Sequence, residues 1–545
     1  MRARSPGRSI TRSITRSLVV AVAGGVLATA CLIQPGDPGP ADVRLAVDTS
    51  QDRRAISPLI YGSNVARDVA ANGLTLVRLG GNRWTAYNWE NNASNAGSDW
   101  CHQNDGYLSS SSTAGAAVEP TVDAAHAAGA DALVTVPILD HVAADKVGGS
   151  GPSACSGDVA NSASYLTTRF RANVADKPGA LSLTPNTGDG TVYQDEFVNW
   201  LEQATTGRVL YSLDNEPDLW SHTHARIHPN PVTYAELVER HIRFATAIKS
   251  VAPDAEVTGP ANYGFWGFET LQSAPDAAGK GNFLDHWLEQ MQAAGNAAGR
   301  RLVDDLDLHW YPEATGGGTR ITSSSGATAV AAARVQAPRS LWDPTYVENS
   351  WITNDYLGGP IELLPTVQGR IDAHYPGTGI ALTEWNYGGG GHISGALASA
   401  DVLGIFGRQG VRLATLWELN ADESFTYAAF RAFRNYDGAG GRFGDTSVRS
   451  TTSDQAVVSV HASVDAADPE HVVIIAINKA TTARTAGITL THTKAFPTAN
   501  VYTVTAAGGA AVQPAGTVTA VATNAWNTTL PASSITVIVP QPPAA

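Results

Sequence analysis

Cysteine is scarce in this chain: three residues in 545, at Cys31, Cys101 and Cys155. Three thiols are too few for a disulfide scaffold or a cysteine-rich zinc site. Charge is sparse as well, at 16% of residues, and the basic share is the smaller one, 36 Lys+Arg against 50 Asp+Glu for a net charge of -14. That balance argues against nucleic acid as a partner, because such binding depends on neutralising phosphates. No G-x-G-x-x-G follows the first apolar run, which lowers the case for a dinucleotide-binding open sheet. No solenoid-length repeat appears, and beyond residue 30 no apolar run approaches the roughly 20 residues of a membrane span. What is plentiful is apolar material, 43% of the chain, with 13 Trp and 16 Tyr. Such a length and composition suit two or more large cores, and flat aromatics suit a ligand with apolar faces.

The N-terminus reads as an address. Residues 1–17 carry Arg2, Arg4, Arg8, Arg12 and Arg16 without an acid, an apolar run follows over 18–27, and Ala28-Thr29-Ala30 closes it. A basic region, a short apolar core and an A-x-A site describe a secretory signal peptide over 1–30. Cys31 stands directly after that site, so a lipid anchor at the bacterial cell surface is the alternative to free secretion. An oxidising exterior would permit Cys101 and Cys155 to pair.

Residues 31–52 read as a Pro/Gly linker followed by a strand, 43–47, that is expected to return to a C-terminal sheet. Over 53–450, eight short apolar runs alternate with Ala-rich helical patterns such as 232–251 and 283–294. The runs are 58–63, 74–81, 132–138, 209–214, 255–260, 305–311, 380–385 and 413–418. Eight strands alternating with helices predict an α/β chain of the (β/α)8 TIM-like barrel class. From 451 to 545 the runs 457–464, 472–478, 486–491, 501–505 and 534–539 follow one another without helices, which predicts an additional antiparallel β-sandwich domain.

Barrels do their chemistry at the C-terminal ends of their strands. Run four ends Asp214-Asn215-Glu216-Pro217, and run seven ends Thr383-Glu384-Trp385-Asn386. Two carboxyls facing one another across a barrel mouth are what glycosidic hydrolysis needs, one to protonate the leaving oxygen and one to attack or stabilise the sugar carbon. Asn215 is placed to hydrogen-bond a sugar hydroxyl. Arg78, His309 and Tyr311, at the ends of runs two and six, are candidates for holding a carboxylate ionised and oriented. Trp84, Trp385 and Trp417 are candidate stacking platforms for pyranose rings. His222, His224 and His228 have the residue type for zinc but no evident fourth ligand.

Several segments together resemble glycoside hydrolase family 44: Leu-Gly-Gly-Asn-Arg at 79–83, the Asn-rich stretch 87–100, and 212–220, 223–229 and 383–389. The resemblance spans about 42–540. It implies a (β/α)8 barrel with a β-sandwich and retaining endo-action on β-1,4-glucans, with xyloglucan a frequent preference. It makes Glu216 the acid/base and Glu384 the nucleophile, and implies no cofactor for catalysis. It also admits a structural calcium, to which no ligands are assigned. Trp84 departs from the pattern at a position expected to be small. Ionised Glu384 is expected to raise the Glu216 pKa. The expected partner is therefore a β-glucan polysaccharide, bound by a monomer. A β-mannanase, a xylanase and a non-catalytic glycan-binding surface protein are the alternatives.

Overall fold

In a computed structural model, residues 31–148 and 155–543 are described. The expected signal peptide, 1–30, lies outside them. Eight parallel strands close into a barrel in the chain order Gly62–Ser63, Leu76–Leu79, Asp131–Val136, Val209–Leu213, Val257–Tyr263, Asp305–Trp310, Gly379–Trp385 and Leu413–Leu416. They are called barrel strands one to eight below. Strand one is shorter than its apolar run, because Pro58 opens a 3-10 turn over Pro58–Ile60 instead of extending the strand.

Side chains alternate along a strand, so every second residue enters the barrel. Leu76, Leu133, Leu210, Ala381 and Leu413 form one apolar layer inside it with Leu59. Two residues further along the same strands stand Arg78, Thr135, Ser212, Thr383 and Thr415, all buried. The barrel axis thus turns from apolar to polar toward the C-terminal ends, where the carboxyls sit. Strand seven breaks the alternation. Its register slips against strand six between Asp307 and His309, and against strand eight between Leu382 and Trp385. A bulge of this kind re-aims side chains, and it brings Glu384 opposite His309.

The same bulge corrects one expectation. With Glu384 turned inward, Trp385 points outward. It is fully buried between the sheet and its helices, stacked on Phe430 at 6.2 Å and edge-on to Phe406 at 5.5 Å. Trp385 is a core residue, not a sugar platform.

Beyond the barrel, two sheets face each other. One has the order Arg449–Thr452, Val43–Asp48, Arg484–Thr491, Ala525–Leu530. The other runs Arg54–Ala55, Thr446–Ser447, Val458–Val464, Val472–Asn478, Ser534–Gln541, Thr498–Thr505, Gln513–Thr519. Val43–Asp48 lies parallel to Arg484–Thr491, the one departure from antiparallel pairing in these two sheets among the described residues. Val472–Asn478 is buried along its whole length. Ile474 and Ala476 face the sandwich core, while Val473, Ile475 and Ile477 join the barrel's core cluster. A strand covered on both faces reads as an unbroken apolar run. Within that contact Asp401, on helix Ile393–Gln409, ion-pairs Lys479 at 2.7 Å and accepts from His461 Nε2 at 2.8 Å. Both sheet partners are almost wholly buried.

Candidate active site

Glu216 and Glu384 meet at the barrel mouth. The turn after strand four carries Asp214 and Glu216 at φ of 66° and 45°, a left-handed geometry that costs non-glycine residues energy and clusters at functional sites. Surrounding bonds hold it: the buried Asp214 carboxylate accepts from the backbone N–H of Ile138 at 2.7 Å and of Asn215 at 2.8 Å. Glu384 is saturated with donors. Arg78 Nη1 donates to its Oε1 at 2.9 Å and Tyr311 OH to its Oε2 at 2.8 Å, while His309 Nδ1 lies 3.5 Å from Oε2. Burial and the neighbouring carboxylates hold the Tyr311 phenol well above its usual pKa, so it remains a donor. Among the described residues, Glu216 has a single side-chain hydrogen-bond partner, His309 Nδ1 at 2.9 Å from Oε1.

Arg78 is fully buried and organises the floor of the site. Its Nη1 also donates to Asn64 Oδ1 at 2.9 Å, and its Nη2 donates to Asn215 Oδ1 at 2.8 Å. Gly80 is needed beside it, since a Cβ there would stand 2.3 Å from the guanidinium carbon. Asn215 Oδ1 takes a second hydrogen bond from Gly81 N at 3.1 Å. With its oxygen committed to two donors, the amide NH2 of Asn215 is turned toward the cleft, as a donor for a hydroxyl.

The Glu216 pKa is raised to about 7, first by burial and then by the charge of Asp99, against a lowering by Arg78. This revises the expected cause. Burial is the main cause, and the Glu384 charge is matched by Arg78 at 2.9 Å.

The cleft over the carboxyls has a volume of about 910 Å³, and its lining includes Trp84, Asp99, Trp100, Tyr107 and Trp417. Trp417 follows Leu413 and Thr415 in the inward alternation and lies over Gly81, where a Cβ would come within 2.6 Å of the indole. Trp84 packs edge-on against Tyr87 at 4.9 Å and keeps one side on the cleft. Trp100 and Tyr107 are 56% and 75% exposed, and Cys101, next to Trp100, is disulfide-bonded to Cys155.

Several cleft and site residues carry little or no mark in the sequence. Asn64 sits just past strand one, where the strand-end rule would have found it. Asp307 precedes His309 by two, so the Asp-x-Asp-x-His pattern of strand six already places it on the inward face. Beside Tyr311 an aromatic shelf gathers Phe265, Trp266, Trp351 and Tyr356, with Trp266 and Trp351 stacked at 5.7 Å. Trp351 and Tyr356 lie between strands six and seven, in a segment with no motif to mark it.

Among the described residues, the one cluster of three acid or histidine groups with ligand atoms within 4.8 Å of one another is Glu216, His309 and Glu384. Calcium takes six to eight oxygens, whereas here both Glu384 oxygens accept from Arg78 and Tyr311 and the third group is an imidazole. The set does not fit calcium. Among the described residues, His222, His224 and His228 belong to no group of three acid or histidine side chains with ligand atoms within 4.8 Å of one another.

The comparisons agree with this geometry. The model of glycoside hydrolase family 44 matches residues 93–314. Endoglucanase A of Paenibacillus lautus is 43% identical over 80% of this chain, which spans 64% of that relative's length. A family 44 endoglucanase from Clostridium thermocellum superimposes with a TM-score of 0.85 at 42% identity, covering 92% of this chain and 99% of its own. A family 44 xyloglucanase from Paenibacillus polymyxa, solved with xyloglucan, gives 0.85 at 38% identity with the same coverage. No helix among the described residues is long and apolar enough to cross a membrane. With its barrel, its paired carboxyls and these likenesses, the chain belongs to glycoside hydrolase family 44.

Proposed function

We propose that this chain is a secreted, retaining endo-β-1,4-glucanase acting on xyloglucan and soluble cellulose derivatives. The observation that carries the reading is the asymmetry of the carboxyl pair. Glu384 is held by Arg78 and Tyr311 as an ionised acceptor, and Glu216 is buried beside a neutral partner with its pKa raised to about 7. One oxygen of each lies within 4.8 Å of the other. That closeness favours the retaining geometry, in which the carboxyls stand about 5–5.5 Å apart, over the inverting one at about 6.5–9.5 Å.

In the first step Glu384 attacks the anomeric carbon while Glu216 gives its proton to the departing glucosyl oxygen. In the second, Glu216 takes a proton from water as that water displaces Glu384 from the sugar. The Asn215 amide is offered to the 2-hydroxyl of the reacting ring. Trp84 and Trp417 supply stacking surface on one side of the scissile bond, and the Trp266–Trp351 shelf supplies it on the other. The names of the relatives, endoglucanase and xyloglucanase, support a β-glucan substrate. The leader-like first 30 residues support export, with Cys31 exposed and unpaired as the residue a lipid would occupy.

The test is reducing-sugar release from xyloglucan, carboxymethyl-cellulose, glucomannan and xylan, with Glu384→Gln beside the native protein. Release from the two glucans that vanishes in the variant is expected. Release from glucomannan or xylan alone would replace the substrate class, and no release from any polymer by folded protein would overturn the hydrolase reading.

A further inference from the structure

We propose that Asp307 and Thr383 select the tautomer of His309 and thereby make Glu216 the proton-bearing member of the carboxyl pair. This rests on the acid/base role proposed for Glu216. Asp307 lies two residues before His309 on strand six, buried beneath the catalytic layer. Only donors reach its two oxygens. Thr383 N–H donates at 3.2 Å, the Thr383 hydroxyl lies 2.9 Å from each oxygen, and the Thr258 hydroxyl donates at 3.3 Å. A hydroxyl has one proton and two lone pairs. With its proton given to Asp307, Thr383 Oγ1 can only accept from the ring atom facing it, His309 Nε2, at 3.1 Å.

Burial holds the His309 pKa below its ordinary value, so the ring is neutral and carries a single N–H. That N–H must be on Nε2. Nδ1 is then a bare lone pair 2.9 Å from Glu216 Oε1, and the contact is a hydrogen bond only when Glu216 carries the proton. The relay stores a proton on Glu216 without consuming one. Glu216 donates to the leaving oxygen and is reprotonated by the attacking water, and the Nε2 proton stays where it is.

The charged and titratable groups around this pair are Arg78 and Glu384, which neutralise each other at 2.9 Å, Tyr311 on Glu384, Asp99 across the cleft and Asp218 behind the turn. Glu384 Oε2, 3.5 Å from Nδ1, would favour a proton on Nδ1. The Thr383 acceptor and the Arg78 charge oppose it.

Asp307→Asn reverses the chain. The new amide N–H donates to Thr383 Oγ1, the hydroxyl turns to donate to Nε2, and the imidazole proton moves to Nδ1. It then donates to Glu216 and favours the carboxylate. The expected result is an alkaline limb of kcat/KM displaced downward by about one pH unit or more, with KM within about twofold, since Asp307 does not touch substrate. Thr383→Val should displace the limb in the same direction and Thr383→Ser should keep the native profile, which holds the test open if Asp307→Asn fails to fold. In 15N-histidine-labelled native protein, the His309 proton is expected on Nε2. A His309 proton found on Nδ1, or a limb unmoved in both Asp307→Asn and Thr383→Val, would overturn the proposal. Full activity in Glu216→Gln would instead sink the acid/base assignment beneath it, so the two failures are distinguishable.

Discussion

The two ends of the barrel both bury a pair of carboxyls, and they treat them differently. At the floor, Glu256 is clamped by Arg412 at 2.7 and 2.9 Å and by Arg208, and Asp305 lies beside it with its pKa held well above the usual range by burial and by Glu256. The cavity there, about 510 Å³, is lined by charged and small polar residues and has no aromatic wall. At the mouth, one arginine serves both carboxyls: it pairs Glu384 directly and only lowers the Glu216 pKa from a distance. At the floor two arginines converge on Glu256 and hold it as an anchored ion pair. At the mouth the single arginine pairs Glu384 and leaves Glu216 as the carboxyl whose proton can be given away, with the aromatic walls of the cleft beside it.

The largest effect that separates the two ends is on turnover. Glu216→Gln should lower kcat by about 10²–10⁴-fold, whereas Asp305→Asn should leave kcat unchanged. Both groups have folded pKa values raised above the unfolded ones, so each contributes stability that is full below about pH 4 and lost as pH rises through the folded value. Both substitutions should therefore raise the melting temperature at pH 8 relative to the native protein. For Glu216 the gain is on the order of 3 kcal/mol. A loss of kcat in Asp305→Asn, or a lower melting temperature in Glu216→Gln, would break the comparison.

The tryptophans sharpen it next. Trp385→Leu should cost about 2–4 kcal/mol of stability, as a cavity in the layer between sheet and helices, with KM unchanged. Trp417→Ala should raise KM for a glucan about 3–10-fold with little change in melting temperature, since it loses a stacking face. The smallest effect is expected at the cleft wall. Cys101→Ser should raise KM for long oligosaccharides about 2–5-fold by loosening the Trp100 segment, with kcat for short substrates unaffected. Substrate-length series of initial rates would show whether the loss grows with chain length.

Much of this was legible before the structure. The barrel followed from the alternation of apolar runs and helical patterns, and Glu216 and Glu384 from the polar residues that end runs four and seven. The run 43–47 carries a strand pattern, while its parallel pairing with Arg484–Thr491 is a tertiary fact. What escaped did so for physical reasons. The bulge in strand seven depends on register against its neighbours, which no single strand encodes, and it sends Trp385 outward instead of into the cleft. Gln513–Thr519 is an exposed edge strand containing Pro514 and Gly516, so it lacks the apolar alternation that marks buried strands. The cause of the Glu216 shift was also hidden, because burial and the Arg78–Glu384 pairing are tertiary facts.

The central claim is the division of labour between the carboxyls, and covalent trapping tests it most directly. Incubation with a 2-deoxy-2-fluoro-cellobiosyl donor bearing a good leaving group should slow hydrolysis of the intermediate and let it accumulate. Peptide mapping by mass spectrometry should then find one fluorosugar on the peptide containing Glu384 and none on that containing Glu216. A label on Glu216, or no label on a preparation that turns over native glucan, would contradict the account.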